Sequence, residues 1–355
     1  MGSPEIGNDG AVRVVAAPDK FRGTATAAEV AGAIAAGTRQ AQGACVEVPL
    51  ADGGEGLLDV LGGANRTTVV TGPLGDAVEA PWRLSRGTAV VEMARASGLV
   101  LAGGAEGNDP VGASTRGTGE LLAAALDAGA RRVILGVGGS ATTDGGLGAL
   151  RALYPLQRLR GIDMIVACDV ETRFVDAADV FGPQKGASPA LVELLRRRLE
   201  RLAQVYEEDH GVDVTGIPGS GAAGGLAGGL AAVGARLVSG FELVAEELEL
   251  AEHLEGADLV VTGEGFVDEQ SFDGKVVGGV VELAAEIDLP VLVVAGEVFD
   301  GVDHRLDAVS LVERYGRDRA MGDPLSCITE IVAERLADLS DQHDEERSDE
   351  TRGDR

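Results

Sequence analysis

Lysine is almost missing. Of 30 basic residues, only Lys20, Lys185 and Lys275 are lysines, and the rest are arginines. Each survivor sits in a glycine-containing segment: DKFRG, FGPQKGA and FDGKVVGG. An ammonium is a compact point charge that a guanidinium fork does not replace, so these three read as functional cations. Aromatics make up only 3% of the chain, so aliphatic residues must build the core. Three cysteines, Cys45, Cys168 and Cys327, form no CxxC pair. That argues against a disulfide scaffold or a zinc ribbon. The four histidines, His210, His253, His304 and His343, are scattered and form no HExxH pattern, which disfavours a histidine-bound catalytic metal. The uncharged stretch Gly216–Ala235 is built of Gly and Ala and lacks the Leu, Ile and Phe content of a membrane span. No signal peptide is visible at MGSPEIGNDG, so a cytoplasmic location is expected.

Acidic residues, by contrast, are abundant: 58 against 30 basic ones, a net charge of −28. Such a surface repels phosphate backbones and excludes nucleic acid as an expected partner. It also suits a very salty cytoplasm. At about 1 M salt the Debye length falls to roughly 3 Å and dense like charge loses its cost. Glycine reaches 53 residues without a triplet period, which excludes collagen.

Strand and helix signals alternate along the chain. VRVVAA (12–17) predicts a strand and TATAAEVAGAIAAGTRQA a helix capped by Thr24 or Thr26. CVEVPLA (45–51) predicts a second strand. RTTVVTGPLG and PWRLSRGTAVVEMA read as antiparallel strands around the turn Ser85–Gly87. A helix from Thr118, strands RRVILGVG and IDMIVACD, and a charged helix over Ala190–Glu208 follow. The last third returns to strands joined by helices. The fold class is therefore α/β with two α/β domains. A flavodoxin-like parallel-sheet domain takes both chain ends (1–65 and 241–338), a mixed-sheet α/β domain is inserted (66–240), and 339–355 form an acidic, disordered tail. The cleft between the domains is the default site.

Carboxylates recur just past predicted strands: Asp19, Asp52, Asp169, Glu264 and Asp268. At strand C-termini of an α/β sheet they point toward the usual ligand crevice, where they can hold Mg²⁺ or accept a hydroxyl proton. Helix capping is the plainer use of any one of them. The glycine-rich loops 52–56, 114–120, 138–146 and 219–225 offer backbone N–H groups to anions, although tight turns also account for glycine there. No Walker A element exists: Glu269 stands five residues before Gly274, and Val276 follows Lys275. Gly136, Gly138 and Ala141 match a weak dinucleotide pattern, so a nicotinamide enzyme is a minor alternative.

Twelve ordered segments together resemble the glycerate kinase family in its bacterial two-domain form. They include APDKFRG (17–23), PLADGGEG (49–56), VEMARASGL (91–99), STRGTGELL (114–122), GVGGSATTDGG (136–146), FGPQKGA (181–187), GSGAAGGL (219–226) and TGEGFVDEQSFDGK (262–275). The resemblance spans about residues 12–300. It implies ATP-dependent phosphorylation of D-glycerate to 2-phosphoglycerate and a flavodoxin-like domain beside a second α/β domain. The chain departs from the family at Arg22, usually Lys, at Thr143, often Asn, and in a shortened stretch between Leu153 and Ile162. Either Lys20 or Arg22 is then the working cation of the first motif.

Phosphoryl-transfer logic, in which positioning and charge stabilisation dominate, assigns roles. The expected catalytic set is Lys20, Asp52, Asp169 and Lys275, with Asp52 as the base. Gly219, Ser220, Gly221, Glu264, Asp268 and Lys185 are expected at ATP. Ser114, Thr115, Arg116, Gly139 and Ser140 are expected at the acid, and Asp169, Glu264 and Asp268 at Mg²⁺. A kinase for a related hydroxy acid and a non-catalytic nucleotide sensor remain as other readings, and monomer and homodimer are both open.

Overall fold

Short β-branched runs become the strands of two sheets. They are β1 (Arg13–Ala16), β2 (Ala44–Glu47), β3 (Arg66–Thr71), β4 (Ala77–Ser85), β5 (Thr88–Glu92), β6 (Arg132–Gly136), β7 (Asp163–Ala167), β8 (Arg236–Val238), β9 (Leu259–Val267), β10 (Val291–Val298) and β11 (Asp307–Ser310). They come from a computed structural model that describes residues 11–272, 275–299 and 307–353. Asp273 and Gly274 of the FDGK segment lie outside the described residues. The chain divides into two compact units, Met1–Ala51 with Val244–Arg355 and Asp52–Leu243. Among the described residues no helix is long and apolar enough to cross a membrane.

The first unit holds the sheet β11-β10-β9-β1-β2, parallel throughout. Parallel strands need helices on both faces, and their runs are accordingly apolar on both sides: Val14, Val15 and Ala16 are all buried. The helix Ala27–Gln40 starts at Thr26, whose hydroxyl accepts from Glu29 N while the Glu29 carboxylate accepts from Thr26 N. The helix Pro324–Gly353 packs against it closely. A Cβ on Gly37 would lie 2.5 Å from the Thr329 carbonyl oxygen, so only glycine admits that approach.

The second unit holds the mixed sheet β3-β4-β5-β6-β7-β8. β3, β4 and β5 form an antiparallel meander, and β5 to β8 run parallel. The expected turn lies between β4 and β5, with Arg86 and Gly87 left-handed (φ 49° and 84°). Its core is mostly aliphatic, with Trp82, Phe174 and Tyr206 buried in it; Phe174 is fully buried and meets the Tyr206 ring edge-on at 6.0 Å. The long helix Pro189–His210 begins on Ser188 with proline at its first position and buries Leu195, Leu199, Ala203 and Tyr206.

Candidate active site

In the second unit, candidate groups collect at the carboxyl ends of the parallel strands. Glu92 ends β5, Gly136 ends β6, Asp169 follows β7 and Gly240 follows β8. The DGGEG loop lies across these ends. A Cβ on Gly53 would meet Ala167 at 3.0 Å, and one on Gly138 would meet Gly54 Cα at 2.6 Å. A Cβ on Gly240 would fall 2.3 Å from the Asp52 carbonyl oxygen. Asp169 Oδ1 accepts the Gly240 N–H at 2.8 Å, and Asp52 Oδ1 accepts the Gly54 N–H at 3.1 Å. Asp169 is thus hydrogen-bonded to the Gly240 backbone, which packs closely against the Asp52 backbone. Burial and the Asp169 charge push the neighbouring Cys168 thiol up to about 11, so it is not a thiolate nucleophile at neutral pH.

That contact yields a prediction. Gly240→Ala must displace backbone atoms of Asp52 and Gly53, and overpacking of this kind costs about 1–3 kcal/mol. Urea unfolding should show the loss, together with reduced turnover. Unchanged stability would contradict the close approach.

Glu92 holds the same loop from behind. This buried carboxylate accepts from Gly56 N at 2.9 Å, Leu58 N at 3.0 Å and Arg95 Nε at 2.8 Å. Sequence reasoning missed Glu92 and Arg95, although a lone charge ending the apolar run TAVVE is a readable signal.

Asp144 was also missed, and it ties the loops 114–120 and 138–146 together. Its carboxylate accepts from Thr115 N at 2.9 Å, Thr115 Oγ1 at 2.9 Å, Gly146 N at 3.1 Å and Gly148 N at 3.2 Å. Ser114 Oγ reaches it at 3.4 Å. Thr115 is fully enclosed, and its hydroxyl also accepts from Ala149 N at 3.0 Å. Its side chain is therefore occupied inside the protein, away from any ligand. Arg116 is exposed and pairs with Glu120 at 2.7 Å. Gly139 and Ser140 are pinned to the Ser97–Leu99 segment by Leu99 N to Gly139 O (2.9 Å) and Ala141 N to Ser97 O (3.0 Å). Among the described residues, the N–H groups of Gly139 and Ser140 make no backbone hydrogen bond.

The segment Gly219–Gly221 behaves differently from expectation. Ser220 N donates to Ile217 O at 3.2 Å, closing a turn, and Gly221 N donates to Thr172 O of a distant segment at 2.9 Å, so both donors are taken by backbone carbonyls. The Ser220 hydroxyl is fully buried with no hydrogen-bond partner. Beyond it, Ala223, Gly224 and Gly225 are left-handed and break the helix Ala222–Ala232 at its start.

Lys185 is only 2% exposed, and its ammonium donates to Thr142 O at 2.7 Å. Burial lowers it from 10.5 to about 7, and the Asp144 charge opposes the drop. The unfolded chain therefore keeps this proton up to higher pH than the folded protein. Relative to Lys185→Met, the wild-type chain should gain stability as pH rises from about 7 toward 10.5, with a flat difference below 7. Urea unfolding at pH 7 and 9 tests the sign.

In the first unit, β1 and β9 are neighbours although β1 runs on to β2 on its other side, so the strand order reverses there. Ligands of open parallel sheets favour such a switch point. Asp19 follows β1, and its N–H donates to Gly263 O at 2.9 Å. Its carboxylate accepts the Lys20 N–H at 2.7 Å and meets the Lys20 ammonium at 3.4 Å. Lys20 is thus held close beside the switch point, whereas Arg22 is exposed. Glu264 lies on β9. Asp268 caps the following turn, accepting from Ser271 N at 3.1 Å. Lys275 immediately precedes the helix Val276–Glu286, where its charge adds to the positive helix end.

Among the described residues, no three histidine, cysteine or carboxylate groups gather to hold a metal unaided. Mg²⁺ carried on phosphate oxygens needs only one or two protein carboxylates, a demand that strand-end groups such as Asp169 or Glu264 can meet.

Comparison with known proteins shows the family and the fold. The sequence model of the Glycerate kinase family matches residues 14–154 and 155–331. Glycerate 2-kinase of Escherichia coli K12 is 42% identical over 342 residues, covering 84% of this chain and 90% of that protein. Glycerate kinase of Halalkalibacterium halodurans is 41% identical, covering 88% and 94%. The crystal structure of a proposed glycerate kinase 2 from Salmonella typhimurium LT2 superposes with a TM-score of 0.81 at 36% identity, covering 94% of this chain and all of that one.

Proposed function

The chain belongs to the glycerate kinase family, and we propose that it transfers the γ-phosphoryl group of ATP to the 2-hydroxyl of D-glycerate, giving 2-phosphoglycerate and ADP. The observation that carries this reading is the pair Asp52 and Asp169, both packed at Gly240 by the carboxyl ends of parallel strands. The choice of the 2-hydroxyl rests on the name of the Escherichia coli relative.

Each group then has a task. Asp52 accepts the hydroxyl proton as the glycerate oxygen bonds to the γ-phosphorus and the bridging oxygen leaves with ADP. Lys20 and Lys275 neutralise phosphate charge, which matters in a chain of net charge −28. The N–H groups of Gly139 and Ser140, with Arg116 from the loop 114–120, grip the acid's carboxylate. Mg²⁺, held by Asp169, Glu264 or Asp268 together with phosphate oxygens, supplies charge neutralisation when bound. Cytoplasmic work in concentrated salt fits the acidic surface.

The test is ADP release by the purified chain with Mg-ATP. Release should appear on adding D-glycerate, saturate with it, and exceed that with tartronate. Release indifferent to the acid would make the chain a hydrolase and overturn the reading.

A further inference from the structure

We infer that Lys185 is a positioning residue for the loop 137–146, fixing from beneath the backbone that grips the acid. This rests on the reading of Gly139 and Ser140 as the carboxylate grip.

Two consecutive carbonyls of that loop are held from the Lys185 segment. The Lys185 ammonium takes Thr142 O at 2.7 Å. The Asn108 side-chain amide donates to Ala141 O at 3.0 Å and to Lys185 O at 2.9 Å, tying the next carbonyl to the same residue. Gly186 keeps the segment close: its φ is 90°, and a Cβ there would fall 2.3 Å from Ala105 O. The Phe181 ring face lies 5.9 Å from the ammonium. Asp144, which anchors the far end of the loop, is the charged group acting on it. A chain that uses arginine almost everywhere retains lysine here because one carbonyl offers a single acceptor, which an ammonium meets and a five-donor guanidinium does not. A buried cation of this kind is a poor source of stability, since an apolar replacement of similar size is often neutral or better. Fixing the loop accounts for its retention.

The test compares wild type with Lys185→Met, first confirming glycerate-dependent turnover in wild type so that failure of the activity reading is seen separately. The KM for D-glycerate should rise about tenfold or more, while the KM for ATP stays within about twofold. An unchanged KM for the acid, or a rise confined to ATP, would overturn the proposal. If Lys185→Met does not fold, ¹⁵N-lysine labelling of wild type gives three side-chain signals, one for each lysine. The buried lysine's signal should move on adding D-glycerate and not on adding ADP, and the reverse pattern would overturn the proposal.

Discussion

Asp52→Asn should reduce turnover with D-glycerate by at least about 10²-fold, the usual scale for a lost general base. The substitution is nearly isosteric. Asp52 Oδ1 accepts the Gly54 N–H at 3.1 Å, and an amide oxygen at position 52 accepts it equally well. The Gly240 contact involves the Asp52 backbone carbonyl and survives too. What disappears is the negative charge that takes the proton. The expected signature is a fall in kcat with a small change in either KM, and a melting temperature close to wild type. Near-normal turnover would remove Asp52 from the chemistry.

Lys275→Ala should cost about 10²-fold or more in kcat/KM, the scale for removing one electrostatic contributor to a charged transition state. Lys275 stands at the positive end of the helix Val276–Glu286, so charge and helix dipole reinforce each other. The chain carries only two other lysines, and one of them, Lys185, is spent on Thr142. Lys275→Arg should recover only part of the loss, because a planar fork does not replace a point charge. Steady-state kinetics at several salt concentrations checks both variants. Full activity in Lys275→Ala would contradict the assignment.

Much of the fold was legible because parallel, two-faced burial writes itself as apolar runs. VRVVAA, RRVILGVG and PVLVVAGEV all became strands. The capping box at Thr26 was readable from Glu29 three residues on, a local signal. β8 spans only Arg236–Val238, too short to show a period, and was missed. The left-handed run Ala223–Gly225 was hidden because Ala-Gly composition signals flexibility without saying which way the chain turns.

The candidate site was readable in kind and less so in contact. The strand-end position of the carboxylates was readable: Asp19 follows β1, Asp169 follows β7 and Glu264 lies on β9. Whether a group faces a ligand or another loop depends on packing that spacing does not record. Thr115 and Lys185 lie in segments that read as open loops, yet both are buried and bonded inward. Asp144 looked like an ordinary acidic residue, and only the three-dimensional structure shows the amides that converge on it. Gly240 lies far in sequence from Asp52, and nothing local predicts that their backbones touch.

The most direct measurement is proton-coupled ³¹P NMR of the product formed from D-glycerate and Mg-ATP. Transfer to the 2-hydroxyl places phosphorus beside a single hydrogen and gives a doublet accompanied by ADP. A triplet would mean attack by the primary hydroxyl, and inorganic phosphate alone would mean that no phosphoryl group reaches the acid.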